Sequence, residues 1–179
     1  MNLTRFILAW NVIDAGFSER IIRQLLAWAR EKEQWEEKEK TKFSMPTLFI
    51  NSGGGQLKEC WAIIDILKTL NLPIRTVGLG SIESGALLLF TAGTERIIAP
   101  HTSCMIHHYQ WPFTAHSPNY NQLKARRKPE DVLTKQVEDF YIKQTKLSRT
   151  DLQKFFLEGD KFFTAKEAIQ WGFAHKLLD

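Results

Sequence analysis

Short apolar runs alternate with segments of helical period along the chain. Residues 4–9 (Thr-Arg-Phe-Ile-Leu-Ala) read as a buried strand. Ser18 follows as an N-cap, after which Ile21, Ile22, Leu25, Leu26, Trp28 and Ala29 recur at helical spacing. Thr47–Ile50 is the next strand and ends in Asn51-Ser52-Gly53-Gly54-Gly55; a helix with Ala62, Ile63, Ile66, Leu67 and Leu70 on one face comes after it. Ile74–Leu79 is a third strand, which Gly80-Ser81-Ile82-Glu83-Ser84-Gly85-Ala86 turns into an apolar helix ending near Gly93. Arg96–Ala99 and Ser103–His107 are two short strands broken by Pro100. This alternation predicts an α/β fold with a largely parallel sheet. Ligands of such sheets sit beyond the carboxyl ends of the strands, where both glycine-containing turns fall.

From residue 108 to 146 the pattern changes. Pro112 has no N–H to donate, so Trp111-Pro112-Phe113 is no uninterrupted central strand. Pro129 suits a first helical turn, and Leu133, Val137, Phe140 and Tyr141 then form a helical stripe. The expectation is one domain over residues 1–179 with 109–146 leaving it as an arm, and Pro129 ending or kinking any helix that enters from 121–128. Ser148 with Asp151 is a weak helix-start signal, whereas Thr164 with Glu167 is a full capping box. Gly172 ends the last helix, and Phe173–Leu178 reads as a closing strand.

Charge and composition narrow the classes. The 179 residues carry 24 basic and 20 acidic side chains, a mild excess with no stacked-aromatic or zinc-finger pattern to suggest nucleic acid. Five basic and five acidic residues cancel within 30–42, which reads as a solvated helix extension or loop. No stretch is long and apolar enough for a membrane span, and the first residues do not make a signal peptide, so a cytoplasmic protein is expected. Cys60 and Cys104 read as buried free thiols.

Three residues could carry chemistry. Ser84 sits at a strand-to-helix turn, as a nucleophile or an N-cap would. His107 ends an apolar strand, as a satisfied core histidine or a base; strand alternation sends His108 the other way. Asp160, between Gly159 and Lys161 in a segment joining two helices, is a loop acid or the orienter of a histidine. A serine, a histidine and an aspartate together activate a hydroxyl for acyl transfer, and the oxyanion then needs two N–H donors, which Gly55 and Gly85 offer. The histidines and cysteines have no metal-ligand spacing, and the glycine run lacks a phosphate-loop ending, so neither metal nor cofactor is expected.

Four motifs in order resemble the proteolytic subunit of Clp-type serine proteases, within the ClpP/crotonase fold of repeated β-β-α units with a protruding handle. Phe49-Ile50-Asn51-Ser52-Gly53-Gly54-Gly55 is similar to that family's Tyr-Ile-Asn-Ser-Pro-Gly-Gly, and Gly80-Ser81-Ile82-Glu83-Ser84 with Thr91-Ala92-Gly93 to its Gly-Gln-Ala-Ala-Ser and Thr-Ala-Gly. Pro100 to His107 resembles Pro-Asn-Ser-Arg-Val-Met-Ile-His, and Glu158 to Ala168 with Trp171-Gly172 resembles Glu-Arg-Asp-Arg-Phe-Leu-Ser-Ala-x-Glu-Ala with Tyr-Gly. The resemblance implies Ser84 as nucleophile, His107 as general base, Asp160 as its orienter, and Gly55 and Gly85 as oxyanion donors. It implies a serine endopeptidase acting on peptides or unfolded segments. The arm's Trp111, Phe113, Leu133, Val137, Phe140 and Tyr141 need a surface to cover them, which predicts a homo-oligomer, as a ring. The alternatives are an inactive Clp-like structural subunit and a crotonase-type acyl-CoA enzyme.

The departures are specific. Gly53 stands where the family has proline, Ile82 and Glu83 where it has two alanines, Gly85 where it has methionine, and Gly159 where it has the arginine that pairs across stacked rings. Tyr109–Phe113 replaces the glycine pair after the histidine, and the chain starts almost at the first core strand, with no counterpart of the axial segment. The expectation is an assembly without the aspartate–arginine switch, leaving open whether a Clp-type ATPase is a partner.

Overall fold

The computed structural model describes residues 5–39, 43–109 and 120–179. Its order is β1 (Phe6–Trp10), α1 (Ala15–Glu39), β2 (Thr47–Ser52), α2 (Leu57–Thr69), β3 (Arg75–Glu83), α3 (Gly85–Thr91), β4 (Glu95–Ile98), β5 (Ser103–Ile106), α4 (Tyr120–Gln144), α5 (Arg149–Leu157), β6 (Lys161–Thr164), α6 (Ala165–Trp171) and β7 (Lys176–Leu177). The strands β1-β2-β3-β4-β7 lie side by side and all pair parallel. β5 joins β3 in parallel, and β6 pairs β5 antiparallel. The α/β architecture with a parallel sheet is therefore as expected. No helix among the described residues is long and apolar enough to cross a membrane.

β3 differs from its expected form. It continues past Gly80 to Glu83 instead of turning there. Its first half, from Arg75 to Gly78, pairs with both β2 and β4, while Ser81 to Glu83 pair with β5. The change of partner falls at Gly80, whose φ of 59° is open to glycine. Asn51 fills that bend: its Oδ1 accepts from the Ser81 N–H at 3.1 Å, and a Cβ on Gly80 would meet the same atom at 2.8 Å. Gly80 is a swivel, and β3 carries the chain from one part of the sheet to the other.

Other boundaries move for local reasons. α1 starts at Ala15 because Asp14 accepts the Phe17 N–H at 2.8 Å, and Ser18 is buried and hydrogen-bonds Glu59 on α2. The charged tract continues α1 to Glu39, with residues 40–42 outside the described residues. Arg5 anchors that extension through a 2.8 Å bond to Glu31 and a stacking contact 4.3 Å from the Phe43 ring centre. Ser148 and Thr164 both form complete capping boxes, so the weaker signal was also sound. β6 was not expected as a strand, because four residues flanked by caps carry little pattern.

The arm expectation divides. Trp111, Pro112 and Phe113 lie outside the described residues. α4 runs unbroken through Pro129, and Val137, Phe140 and Tyr141 are buried in the main core rather than carried away from it. On α4 Val132 is 51% exposed, and other large exposed apolar side chains lie on the strands and on α5. Phe6 and Leu8 on β1 are 54% and 40% exposed, and Leu157 and Phe162 beside β6 are 88% and 60% exposed. Leu8 begins an apolar row across four strands, Leu8–Phe49–Val77–Ile97. Ala9, Ile50 and Ile98, one residue along each strand, belong to the main core on the other face.

Two packing details generate predictions. A Cβ on Gly85 would lie 2.7 Å from Cys60 Sγ, so the thiol occupies the space a side chain at 85 would need. Burial pushes that thiol up to about 12. Gly85→Ala is therefore expected to cost about 1–3 kcal/mol by overpacking, and Gly85→Ala with Cys60→Gly to recover most of it, measured as a double-mutant cycle in urea. Arg96, 6% exposed, turns its guanidinium on His175 Nε2 (2.7 Å) and on the carbonyls of Thr91 and Gln144. Burial and the Arg96 charge hold His175 below its ordinary value of 6.5. The unfolded chain thus binds this proton more readily, and stability is lost as pH falls through 6.5. Thermal melts at pH 7.5 and 5.5, taken as bracketing values around the ordinary histidine range, should show wild type losing more on acidification than His175→Gln.

Candidate active site

Ser84 is held by backbone on both sides. Its N–H donates to the Met105 carbonyl of β5 at 2.9 Å, and its own carbonyl accepts from Leu87 and Leu88 at 3.0 and 3.3 Å in the first turn of α3. Strand end and helix start meet at one residue, which takes φ 52° and ψ −121°. For a non-glycine residue that is a strained conformation of a kind found at functional sites. Ser84 stands at the N-cap position, but its side chain makes no capping bond. The hydroxyl instead contacts His107 Nε2 at 2.7 Å. Of the two readings of Ser84, capping is not what its side chain does.

His107 follows directly on β5. Its other ring nitrogen, Nδ1, is buried and has no hydrogen-bond partner among the described residues. His108 turns away as alternation predicts, with Nε2 3.1 Å from Thr134 Oγ1 and its ring edge-on to Phe156. Asp160 makes no hydrogen bond to His107. It is exposed, with no hydrogen-bond or ion-pair partner among the described residues. The β5–β6 ladder ends where Ile106 pairs with Lys161, and His107 and Asp160 are the residues next to that last pair on the two strands. The structure brings Ser84 and His107 together, and Asp160 makes no hydrogen bond to either.

The glycine turn lies along residues 83–85. A Cβ on Gly53 would be 3.8 Å from Glu83 Oε2, one on Gly54 would be 2.9 Å from Ser84 Cβ, and one on Gly85 would be 3.5 Å from the Gly55 nitrogen. Gly54 is thus pressed against the serine, which is why that position tolerates no side chain. Gly85 opens α3, so its N–H is one of the helix's free donors, and the Gly55 N–H lies alongside. The turn is fixed from below. Ser52 Oγ donates to the Asn11 carbonyl at 2.5 Å and accepts the Gly54 N–H at 3.1 Å. Ile13 donates its N–H to the Gly54 carbonyl and accepts from Gln56, both at 2.8 Å.

Glu83 hydrogen-bonds Ser81 Oγ. Beneath the site lie Cys60 and Cys104, both buried free thiols pushed up to about 12 by burial, and hence a neutral floor. Asn51, Ser52 and Ile13 were given no role from the sequence. The signal for the first two was present: polar Asn-Ser at the end of an apolar strand marks side chains that fold back on a turn. Ile13 carried no signal, because its contribution is made by its backbone.

A family model described as Clp protease matches residues 1–179. The ATP-dependent Clp protease proteolytic subunit 2 of Thermobifida fusca is 27% identical over 184 residues, covering 97% of this chain and 80% of that protein. The ATP-dependent Clp protease proteolytic subunit of Deinococcus radiodurans is 26% identical over 178 residues, covering 98% and 80%. Among solved structures, a mutant of ClpP1 from Listeria monocytogenes superposes with a TM-score of 0.82 at 21% identity, covering 98% of this chain and 92% of that one, a likeness of fold. With a family model spanning its whole length, the chain belongs to the Clp protease family of serine endopeptidases.

Proposed function

We propose that the chain hydrolyses peptides and unfolded polypeptide segments through an acyl-enzyme on Ser84. The observation that carries this reading is the 2.7 Å contact between Ser84 Oγ and His107 Nε2 at a strained strand-to-helix junction. Ser84 Oγ attacks the scissile carbonyl carbon while His107 Nε2 takes its proton. The N–H groups of Gly55 and Gly85 bind the oxyanion. His107 then protonates the leaving amine, and a water deprotonated by His107 releases the acyl group. The charged imidazole needs an acceptor at Nδ1. Asp160 fills that role when it turns inward, a reading supported by its place next to Lys161, which pairs with the residue before His107, and by an Nδ1 with no partner among the described residues.

Ser84→Ala is expected to lower kcat on a short peptide about a thousandfold or more, with the thermal melt unchanged, and Asp160→Asn about a hundredfold or more. The assay needs no ATPase, because a short peptide has no fold to be opened. Hydrolysis surviving in Ser84→Ala would end the assignment. A wild type inert on peptides, with Asp160 never engaging His107, would favour the structural-subunit reading instead.

We further propose a head-to-tail ring. A parallel sheet is ordinarily covered on both faces, yet Phe6 and Leu8 stand exposed at the end of an apolar row. We take the exposed Leu157 at the end of α5 and Phe162 on β6 as a second, different apolar surface. Two unlike patches that complement each other close a ring rather than a two-fold dimer. Sedimentation at micromolar concentration should find an oligomer, and Leu8→Glu should dissociate it; a wild-type monomer would refute this.

A further inference from the structure

We propose that Glu83 makes the site selective for a cationic side chain within two residues of the scissile bond. The proposal rests on Ser84 being the nucleophile. Glu83 immediately precedes Ser84, and the ladder sets it opposite Met105, two residues before His107 on the same face of β5. Its carboxylate is half-buried and has a single hydrogen-bond partner, the Ser81 hydroxyl; no lysine, arginine or histidine pairs with it among the described residues. One neutral donor leaves the charge uncompensated.

The carboxylate is also open to a ligand. Gly53 lies beside it, exposed and with no side chain to cover it: a Cβ there would be 3.8 Å from Oε2. The same glycine turn presents Gly55 to the Ser84–Gly85 junction. A peptide whose carbonyl lies between Ser84 and Gly55 therefore passes Glu83 within a residue or two. At about 6 Å and an effective dielectric constant of about 40, a unit charge there changes the rate roughly tenfold. A lysine or arginine gains by that factor, and a glutamate loses by it. The preference is electrostatic, so added salt weakens it.

The test uses peptides identical except for Lys, Gln or Glu at each of four positions flanking the scissile bond, cleaved by wild type and by Glu83→Gln. At one position at least, wild-type kcat/KM should favour Lys over Gln by about tenfold, and Glu83→Gln should reduce that ratio to below about twofold. In wild type alone, the ratio should shrink between about 50 and 500 mM salt. A wild type that cleaves all the peptides at one rate overturns this proposal alone. So does a Lys preference that persists in Glu83→Gln or is indifferent to salt. A wild type that cleaves none of them overturns the nucleophile assignment, and this proposal with it.

Discussion

The backbone of Ser84 is the constraint on which the rest depends. One residue must end a strand, start a helix and aim its hydroxyl at a neighbouring strand. It does so with φ 52°, a conformation costing of order 1–3 kcal/mol for a residue with a side chain. The cost is borne because three hydrogen bonds hold the main chain in place, one from β5 and two from α3. Each piece of surrounding architecture serves that residue. The Gly80 swivel and Asn51 swing β3 across to β5, and His107 follows directly on β5. The glycine turn, fixed through Ser52 and Ile13, lies against the Ser84 side chain where only hydrogen atoms fit.

The departures from the family pattern make sense in pairs. Gly85, where a larger residue is the rule, sits against Cys60, whose sulfur fills the missing volume. Gly53, where proline is the rule, faces Glu83, whose carboxylate would be in ordinary contact with a Cβ there at 3.8 Å. The first pair conserves space across the contact between two elements, as close packing requires. Only the second pair changes chemistry, because it replaces apolar surface beside Ser84 with a charge. Gly159 is of another kind. Its φ of 88° favours glycine and nothing approaches it within 4 Å, so the position is open in space but closed in backbone conformation to most side chains.

The strand and helix pattern was legible wherever burial was one-sided. Ile63 and Leu67 mark α2, and Leu48 and Ile50 mark β2, because each apolar set faces one core. The continuation of β3 past Gly80 was not legible, since a glycine that ends a strand and one that swivels it look alike until the side chain of Asn51 is placed. The helix through Pro129 was hidden for a similar reason: the sequence marks the missing N–H but not whether neighbouring turns hold the helix together. At the site, the order of Ser84, His107 and Asp160 along the chain was enough to pair the first two. The position of Asp160 was not, because it depends on β6, four residues whose strand character comes from pairing with β5 rather than from their own pattern.

The central claim is that Ser84 is a nucleophile activated by His107, and the most direct measurement is covalent labelling. The folded chain would be treated with a fluorophosphonate and the adduct mapped by mass spectrometry, alongside His107→Ala. The account predicts a single adduct on Ser84 in the wild type, and labelling at least about a hundredfold slower in His107→Ala, because an unassisted serine hydroxyl is a weak nucleophile. An unlabelled Ser84, an adduct on another serine, or equal labelling without the histidine would contradict it.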